Sequence, residues 1–399
     1  MATPFSEAEI SAARAVTPGT ERVIHLNHAG ASLPPQVVLD TQIEHLRAEA
    51  TIGGYEAAGA ASDRSDGVYD SVARLIGASA SEIARMEHAT AAWNAAFWSV
   101  PMRPGQHIVV HDHEYGANIV AFLAAADRRG VHIDRVPSDS SGQVDVEAVA
   151  DRLRTKDVAL VSLTHVPTNG GLVNPAAEVG ALTRAAGVPF LLDACQSLGQ
   201  RVLDVDEIGC DLLSATGRKY LRGPRGTGVL YARASIVESL QPSQPDHHGA
   251  GLVAADRFED AEGARRFEHW EHNVAGWLGL GAAVDHALGW GIDRIEATVT
   301  ERAVQLRERL VDAGLVVWDE RHVLLAADIS EALDLDWNTR EVLERFRDKA
   351  LMKARLRECP GVRVNRSRVV ARREEALAFR EAVGSWPIVV KPSGGAGSM

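Results

Sequence analysis

An α/β fold built on a mainly parallel sheet is predicted by three features of this sequence. Between about residues 105 and 232, short apolar runs alternate with stretches of helical pattern. The runs are apolar at nearly every position, which is typical of strands that helices cover on both faces. Polar side chains, among them Thr164, His165 and Asp193, follow these runs at the ends where open α/β sheets bind their ligands.

The predicted elements are placed along the chain by their apolar periods and by turn residues. A short helix over residues 7–16 precedes a strand at 23–26 and a turn at 27–31. The strands of the sheet are predicted at 107–110, 131–133, 159–163, 189–192, 211–214 and 228–231. The helices are predicted at 117–128, 146–153, 176–186, 275–290 and 292–313.

Length and composition exclude several classes of protein. A chain of 399 residues can bury a large core and form two or more domains. The net charge of −12 argues against nucleic acid as the main partner, because phosphate binding favours a basic surface. Three widely separated cysteines predict neither a disulfide framework nor a metal site. The N-terminus lacks a signal-peptide pattern and no apolar run reaches a membrane span, so we expect a cytoplasmic protein without a membrane partner.

One lysine stands between a turn of small residues and a glycine-rich loop. Lys219 follows residues 214–217 and precedes residues 223–228, and an apolar run upstream ends at Asp193. Pyridoxal phosphate (PLP) needs both groups, because a lysine amine holds it as a Schiff base and a carboxylate keeps its ring nitrogen protonated. An isolated lysine is usually a surface residue and an isolated aspartate a turn residue, but the pair predicts PLP as the cofactor.

Residues around this pair admit more than one interpretation. Gln196 lies three residues after Asp193 and could reach the phenolate oxygen of the cofactor. Residues 87–94 predict a strand-to-helix turn, where backbone N–H groups bind phosphate well, although Thr90 could be an ordinary helix cap. Tyr115 either stacks on a planar ring or belongs to the core.

Taken in order, these motifs resemble the class V aminotransferase and cysteine desulfurase superfamily. The matching segments are residues 26–30, 88–94, 114–118, 164–171, 193–196, 216–219 and 266–268. The resemblance covers about residues 20–290. It implies a fold-type I PLP enzyme with a large domain around a mostly parallel, seven-stranded type of sheet and a smaller C-terminal α/β domain.

The resemblance also implies a role for each matching residue. Lys219 would hold the cofactor and then move the Cα proton of an amino-acid substrate. Asp193 would pair with the ring nitrogen and Tyr115 would stack on the ring. Residues near the phosphate would be Ala89, Thr90, Thr216 and Arg218, and residues near the phenolate oxygen would be Thr168 and Gln196. The loop at 270–273 matches one that crosses to a partner subunit, which implies a homodimer with shared active sites.

The implied reaction is Schiff-base formation followed by Cα deprotonation of an amino acid. A carbon–sulfur lyase or desulfurase-like enzyme is the favoured prediction, with a class V aminotransferase or epimerase as the alternative. Residues 51–56, the motif around Trp93 and residues 266–268 together resemble the branch of isopenicillin epimerase-like proteins and the ergothioneine carbon–sulfur lyase. None of Cys195, Cys210 and Cys359 lies in a recognisable version of the desulfurase cysteine loop, and no carboxylate-binding arginine motif is evident. A non-catalytic PLP-binding scaffold is the alternative from another class.

The C-terminal part departs from the family pattern. We predict an N-terminal helix in residues 1–20, the PLP-binding domain in 21–285, a linking helix and strand in 286–320 and an atypical segment in 321–399. Residues 342–399 resemble the start of an ATP-grasp domain, with Lys391 and a glycine loop but without the later carboxylates for magnesium. The alternative is an ordinary small domain with a chance glycine-rich end. We expect no working ATP site in either case.

Overall fold

A seven-stranded mixed sheet forms the centre of the molecule in the computed structural model, which describes residues 2–168, 171–312 and 373–383. Its strands are β1 (Ile83–Met86), β2 (His107–His111), β3 (His132–Val136), β4 (Val158–Thr164), β5 (Phe190–Asp193), β6 (Leu212–Thr216) and β7 (Gly228–Ala232). They are ordered β1-β7-β6-β5-β4-β2-β3. A separate hairpin pairs β8 (Ala250–Ala254) with β9 (Arg257–Asp260).

Helices connect the strands and precede and follow the sheet in sequence. The first group is α1 (Glu7–Ala15), α2 (Gln36–Ile52), α3 (Gly54–Ala60), α4 (Ser62–Ile76), α5 (Ala89–Ser99) and α6 (Gly116–Arg129). The second is α7 (Val146–Thr155), α8 (Ala176–Ala186), α9 (Val205–Ile208), α10 (Ala234–Val237), α11 (Val274–Trp290) and α12 (Ile292–Asp312). Short 3-10 turns occur at Pro18–Glu21, Ala80–Glu82 and Gly263–Phe267, and a further helix spans Arg373–Val383.

Strands β2 to β6 are parallel to one another, as the sequence predicts, and apolar clusters cover both faces of the sheet. Neighbouring residues of one strand belong to different apolar clusters: Val161 and Leu213 lie in one, and Leu160 and Leu212 lie in the other. This alternation arises because successive side chains of a strand point to opposite faces. Uniformly apolar runs are therefore stable here, whereas a half-exposed sheet would need alternating polar positions.

Strand pairing determines which polar residues meet. Thr164 at the end of β4 is paired with Asp193 at the end of β5, and Asp193 is paired with Ser214 of β6. Because these strands are parallel, their carboxyl ends lie at the same edge of the sheet. Helix α6 begins after Tyr115 at this edge and ends at Gly130, whose φ of 66° favours glycine.

One feature differs from the sequence-based expectations. Residues 23–26 form no strand, because no described segment of backbone pairs with them, and Ile24 and Leu26 are 91% and 89% exposed. Strand β7 runs antiparallel to both of its neighbours, β1 and β6, which agrees with the prediction of a mainly parallel sheet. The other predicted helices and sheet strands are confirmed to within a few residues.

The chain divides into two compact units, Met1–Glu301 and Arg302–Met399. The first unit contains the whole sheet. In the second, the described parts are the end of α12 and the helix Arg373–Val383. The glycine loop and Lys391 of the ATP-grasp-like segment lie outside the described residues, so that interpretation and the predicted domain bounds stay predictions. In the described part of the chain, no helix is both long and apolar enough to cross a membrane.

Candidate active site

A cavity of about 360 Å³ opens at the carboxyl ends of β4, β5 and β6. This volume lies in the usual range for small-molecule sites. All the site residues predicted from the sequence line this one cavity: Ala89, Thr90, Tyr115, Thr168, Asp193, Gln196, Thr216, Arg218 and Lys219. The structure thus brings together side chains that are spread over 131 positions of the chain, from 89 to 219. Their individual roles stay predictions.

Lys219 lies in the turn that follows β6 and is almost fully buried. Its Nζ is 6.0 Å from the ring centroid of Tyr115, which caps the start of α6. The turn is tightly closed, because the N–H of Gly223 donates to the carbonyl of Gly217 at 2.7 Å. A Cβ on Gly217 would lie 2.4 Å from Thr227 Oγ1, so this position requires glycine. The lysine is consequently held on a rigid loop beside an aromatic ring.

Asp193 is a buried carboxylate whose two oxygens each accept one hydrogen bond. The backbone N–H of Cys195 donates to Oδ1 at 3.0 Å, and Nδ2 of Asn118 donates to Oδ2 at 3.1 Å. Each carboxylate oxygen can accept more than one bond, so capacity remains for a cationic ligand in the cavity. Two hydrogen bonds therefore fix the orientation of Asp193, and none of the described residues forms an ion pair with it.

Glu114 is a second carboxylate close to Asp193, and no role for it was predicted from the sequence. Thr164 donates to it twice at 3.0 Å, from its N–H to Oε1 and from its hydroxyl to Oε2, and Asn118 Nδ2 donates to Oε2 at 3.2 Å. Burial, together with the charge of Asp193, raises the pKa of Glu114 to about 7. The available signal was the i, i+4 spacing of Glu114 and Asn118 at the start of a helix after a strand.

The start of helix α5 forms a cradle suited to an anion. His88 caps the helix, its Nδ1 accepting from the N–H of Ala91 at 3.0 Å, and the first-turn N–H groups of Ala89 and Thr90 are left without helical partners. Gly228 allows the close approach of β7 to this turn, since a Cβ there would lie 2.7 Å from the His88 carbonyl carbon. Arg218 lines the same cavity and donates from its guanidinium to the carbonyl of Gly30.

Gln196 and Thr168 lie together, as expected for two groups near one ligand oxygen. Nε2 of Gln196 approaches Thr168 Oγ1 at 3.4 Å and the carbonyl of Ala29 at 3.3 Å. Within the described ranges, Gln196 Oε1 and Trp93 Nε1 are buried without hydrogen-bond partners. Unpaired buried polar atoms are costly, so a polar ligand fits this wall better than an empty space. With the anion cradle and Asp193, the residues present fit pyridoxal phosphate.

The cysteines of the described region are not thiolates. Cys195 lines the cavity, where burial and the negative charge of Asp193 raise its thiol pKa well above the usual range. Burial raises the pKa of Cys210 to about 12. Neither is therefore a competent nucleophile at neutral pH. Cys359 lies outside the described residues.

Arg225 is a further cation of the cavity wall that the sequence analysis did not single out. It lies in the glycine-rich loop next to Gly226 and is exposed. Arg218, the neighbouring cation, donates to the carbonyl of Gly30. Considering only the residues described here, Arg225 has no hydrogen-bond or ion-pair partner, so it is available to an anion.

The fold and the cavity together define a class of protein. A mostly parallel seven-stranded sheet that brings a buried lysine and a strand-end aspartate into one cavity is the arrangement of a fold-type I PLP enzyme. The chain belongs to the class-V aminotransferase family, whose model matches residues 23–326. It is a PLP-dependent enzyme.

Several proteins named as cysteine desulfurases are similar to this chain. The probable cysteine desulfurase of Xylella fastidiosa (strain 9a5c) is 31% identical over 294 residues, which cover 72% of this chain and 70% of the relative. The cysteine desulfurase of Pectobacterium carotovorum subsp. carotovorum (strain PC1) is 27% identical over 321 residues, covering 77% and 78%.

Solved structures share the fold. The apo cysteine desulfurase from Thermococcus onnurineus NA1 has a TM-score of 0.71 at 24% identity and covers 78% of each chain. The cystine C–S lyase C-DES, in complex with its product cysteine persulfide, has a TM-score of 0.63 at 23% identity, covering 69% of this chain and 74% of that one. These likenesses establish the fold and leave the substrate to be inferred.

Proposed function

We propose that this protein is a PLP-dependent carbon–sulfur lyase acting on a cysteine-type amino acid. The observation that carries the proposal is the placement of Lys219 and Asp193 in one cavity, with Tyr115 beside the lysine. The relatives named as cysteine desulfurases support the reaction class. When bound, pyridoxal phosphate supplies an electron sink for the negative charge that develops at the substrate Cα.

The residues of the cavity perform separate tasks in this proposal. Lys219 would hold the cofactor through its amine and would remove the proton from the substrate Cα. Asp193 would keep the ring nitrogen protonated, and Tyr115 would cover one face of the ring. The residues assigned to the phosphate are Ala89, Thr90, Thr216 and Arg218, and those assigned to the phenolate oxygen are Thr168 and Gln196.

The cysteine chemistry supports release of the sulfur rather than its capture on the described part of the protein. A sulfur acceptor must be a thiolate, and the pKa values of Cys195 and Cys210 are raised. We infer an elimination in which the Cα–H and Cβ–S bonds break and the sulfur leaves as a thiol with one proton. The remaining three-carbon fragment takes up one water and leaves as pyruvate and ammonia.

Arg225 is assigned to the substrate carboxylate in this proposal. It is the cation of the cavity wall without another partner among the described residues, and a guanidinium matches a carboxylate in a two-point contact. It would fix the amino acid so that the Cα–H bond faces Lys219. Arg225 would thus take the place of the family's carboxylate-binding arginine, whose motif is not evident in the sequence.

A homodimer with shared sites is also part of the proposal. Ile24 and Leu26 are almost fully exposed, and Trp270, in the loop that resembles a partner-crossing segment, is half exposed. Large apolar side chains left in water are typical of an interface. Light scattering is expected to give twice the chain mass, and a monomer that turns over substrate at full rate would exclude sharing.

A cytoplasmic location fits the unpaired Cys195 and Cys210 and stays a prediction.

Spectroscopy of the loaded protein tests the function directly. Protein mixed with PLP is expected to show an absorbance band at the edge of the visible range. Lys219→Ala removes it, whereas Lys156→Ala, at an exposed position after α7, leaves it unchanged. Cysteine, cystine and S-substituted cysteines are then assayed for pyruvate and for thiol.

The outcomes separate the candidate reactions. Equal amounts of pyruvate and thiol from a cysteine conjugate confirm a lyase. Turnover that depends on an added keto acid indicates an aminotransferase, and racemisation without product indicates an epimerase. A normal band with no turnover of any amino acid supports a scaffold, and no band in the wild type overturns the whole assignment.

A further inference from the structure

The amide of Asn118 joins two carboxylates behind the cofactor-binding face of the cavity. Its Nδ2 group has two hydrogens, and it donates to Asp193 Oδ2 at 3.1 Å and to Glu114 Oε2 at 3.2 Å. Asn118 is buried and lies in the first turn of α6, four residues after Glu114. Both donor hydrogens are thereby used, one by each carboxylate.

Glu114 is attached to the sheet as well as to the helix. Thr164 holds both of its oxygens, and the next N–H along the chain, that of His165, donates to the carbonyl of Asp193 at 3.0 Å. The strand pair β4–β5 and the helix α6 therefore position Glu114, Asn118 and Asp193 as one rigid unit. Rigid support of this kind is what an active-site group needs to keep its orientation.

The charged surroundings of Glu114 do not neutralise it. Asp193 faces it from β5 and Thr164 from β4, and a small cavity on its other side is shared with His111, Asp112 and Arg135. Burial lowers the pKa of His111 to about 4, so that imidazole is uncharged at neutral pH.

Arg135 lines the same small cavity and, within the described residues, forms no ion pair with Glu114, and His113 directly precedes Glu114 in the sequence. The neighbouring charge that acts on the Glu114 pKa is the negative charge of Asp193. Burial raises the pKa of Glu114 to about 7 before any cationic ligand is bound. A protonated ring nitrogen next to Asp193 would lower this pKa, because it favours the anionic form.

We propose that Asn118 and Glu114 are positioning residues that orient the Asp193 carboxylate toward the cofactor ring nitrogen and add negative charge behind it. The proposal rests on the proposed PLP-dependent function. Asp193 forms no ion pair within the described part of the chain, and the hydrogen bonds from the N–H of Cys195 and from Asn118 orient its carboxylate. Glu114 in turn fixes the amide of Asn118 and strengthens the attraction of the whole unit for a ring cation.

The test uses the PLP-loaded protein and three substitutions. Glu114→Gln removes the charge and keeps the shape, and Asn118→Ala breaks the link. Glu178→Gln makes the same chemical change at an exposed position on α8, outside the network of Glu114, Asn118 and Asp193. The readouts are the pH midpoint of the change in cofactor absorbance, kcat and KM.

Loss of the Glu114 charge is expected to lower the pH midpoint by about one unit, because it removes an anion that favours the protonated cofactor. We expect kcat to fall about tenfold with KM changed less than about twofold, since the residue does not touch the substrate. Asn118→Ala is expected to lower kcat by about 10-fold to 100-fold. The double variant is expected to be no worse than Asn118→Ala alone, because one unit is broken twice.

The proposal fails if Glu114→Gln leaves both the midpoint and kcat at the values of Glu178→Gln. Additive effects in the double variant would also contradict it, since they would mean that the two residues act independently. Should Asn118→Ala not fold, Glu114→Gln alone still decides the question. If the wild type shows a normal cofactor band and its pH midpoint is the same in these variants, only this inference is refuted. If the wild type shows no band, the proposed function itself is refuted.

Discussion

Two buried glutamates of this molecule lie in opposite electrostatic surroundings. Glu268 is fully buried and is met by two arginines, Arg85 Nη2 at 3.4 Å and Arg265 Nη1 at 3.8 Å, and by the imidazole of His248, whose Nε2 lies at 3.3 Å. Glu114, at the edge of the cofactor cavity, is met by neutral donors and by a second carboxylate.

The pKa values of the two groups move in opposite directions. Burial alone would raise the pKa of Glu268, but the hydrogen bond from His248 and the charges of Arg85 and Arg265 hold it below the usual value. Burial raises the pKa of Glu114 to about 7. A compensated carboxylate stabilises the fold, whereas an uncompensated one attracts a cation that arrives with the ligand. The opposite pKa shifts therefore favour a role in stability for Glu268 and, in our proposal, a role in the cofactor site for Glu114.

The largest expected effect is on stability at Glu268. Glu268→Gln leaves Arg85 and Arg265 without their counter-charge, so the free energy of unfolding should fall by about 3 to 5 kcal/mol at pH 7. Urea unfolding measures it, with the exposed Glu178→Gln as the control expected to stay within about 0.5 kcal/mol. A Glu268 variant as stable as this control would remove the basis of the comparison.

At Glu114 the expected effect depends on pH and has the opposite sign. Its folded pKa of about 7 lies above the ordinary 4.5, so its contribution to stability is fully present below pH 4.5 and is lost as the pH rises through 7. The loss amounts to roughly 3 kcal/mol. Glu114→Gln does not titrate, so the stability of this variant relative to the wild-type apoprotein should rise by roughly 2 to 3 kcal/mol between pH 5 and pH 8. Thermal unfolding at both pH values tests this, and a constant difference contradicts it.

Tyr69 tests the hydrogen-bonding part of the Glu268 site. Its hydroxyl donates to Glu268 Oε2 at 3.0 Å, and Arg265 lies over its ring. Tyr69→Phe should cost about 2 kcal/mol, because hydrogen bonds to charged groups are the stronger ones. Tyr231→Phe is the matched control, since the buried hydroxyl of Tyr231 has no partner among the described residues and its removal should cost nothing. Equal losses in both variants would mean that Glu268 does not use the Tyr69 hydroxyl.

The arginines of the molecule also differ in whether a carboxylate pairs with them. Substitution of Arg225 has the smallest expected effect. Arg85 and Arg265 are engaged by Glu268, whereas Arg225 faces the cavity without a described partner. Arg225→Gln should raise KM for the amino acid about tenfold and change kcat and PLP affinity much less. Arg154→Gln, on the exposed face of α7, is the control. Weaker PLP binding with an unchanged KM would reassign Arg225 to the phosphate.

Local patterns predicted much of this fold and site. The apolar runs and the glycine-rich turn indicated the central strands and the lysine loop, because strand burial and tight turns restrict residue types locally. The unpaired run at residues 23–26 was predicted wrongly as a strand, since a strand needs a neighbour that the local sequence does not reveal. The reversed direction of β7 relative to β1 and β6 likewise depends on strand pairing, which the local sequence does not reveal.

By itself, the sequence determined the fold class and the cofactor, because both follow from residue types that recur in ordered local motifs. Only the tertiary structure decided that Asn118 joins Glu114 to Asp193, 75 positions away, and that Glu268 meets Arg85 across 183 positions. Such contacts depend on strand order and register, which place distant residues side by side. Burial and neighbouring charges then set the pKa of each buried glutamate. The pKa of Glu268 is lowered beside arginines, whereas that of Glu114 is raised beside another carboxylate.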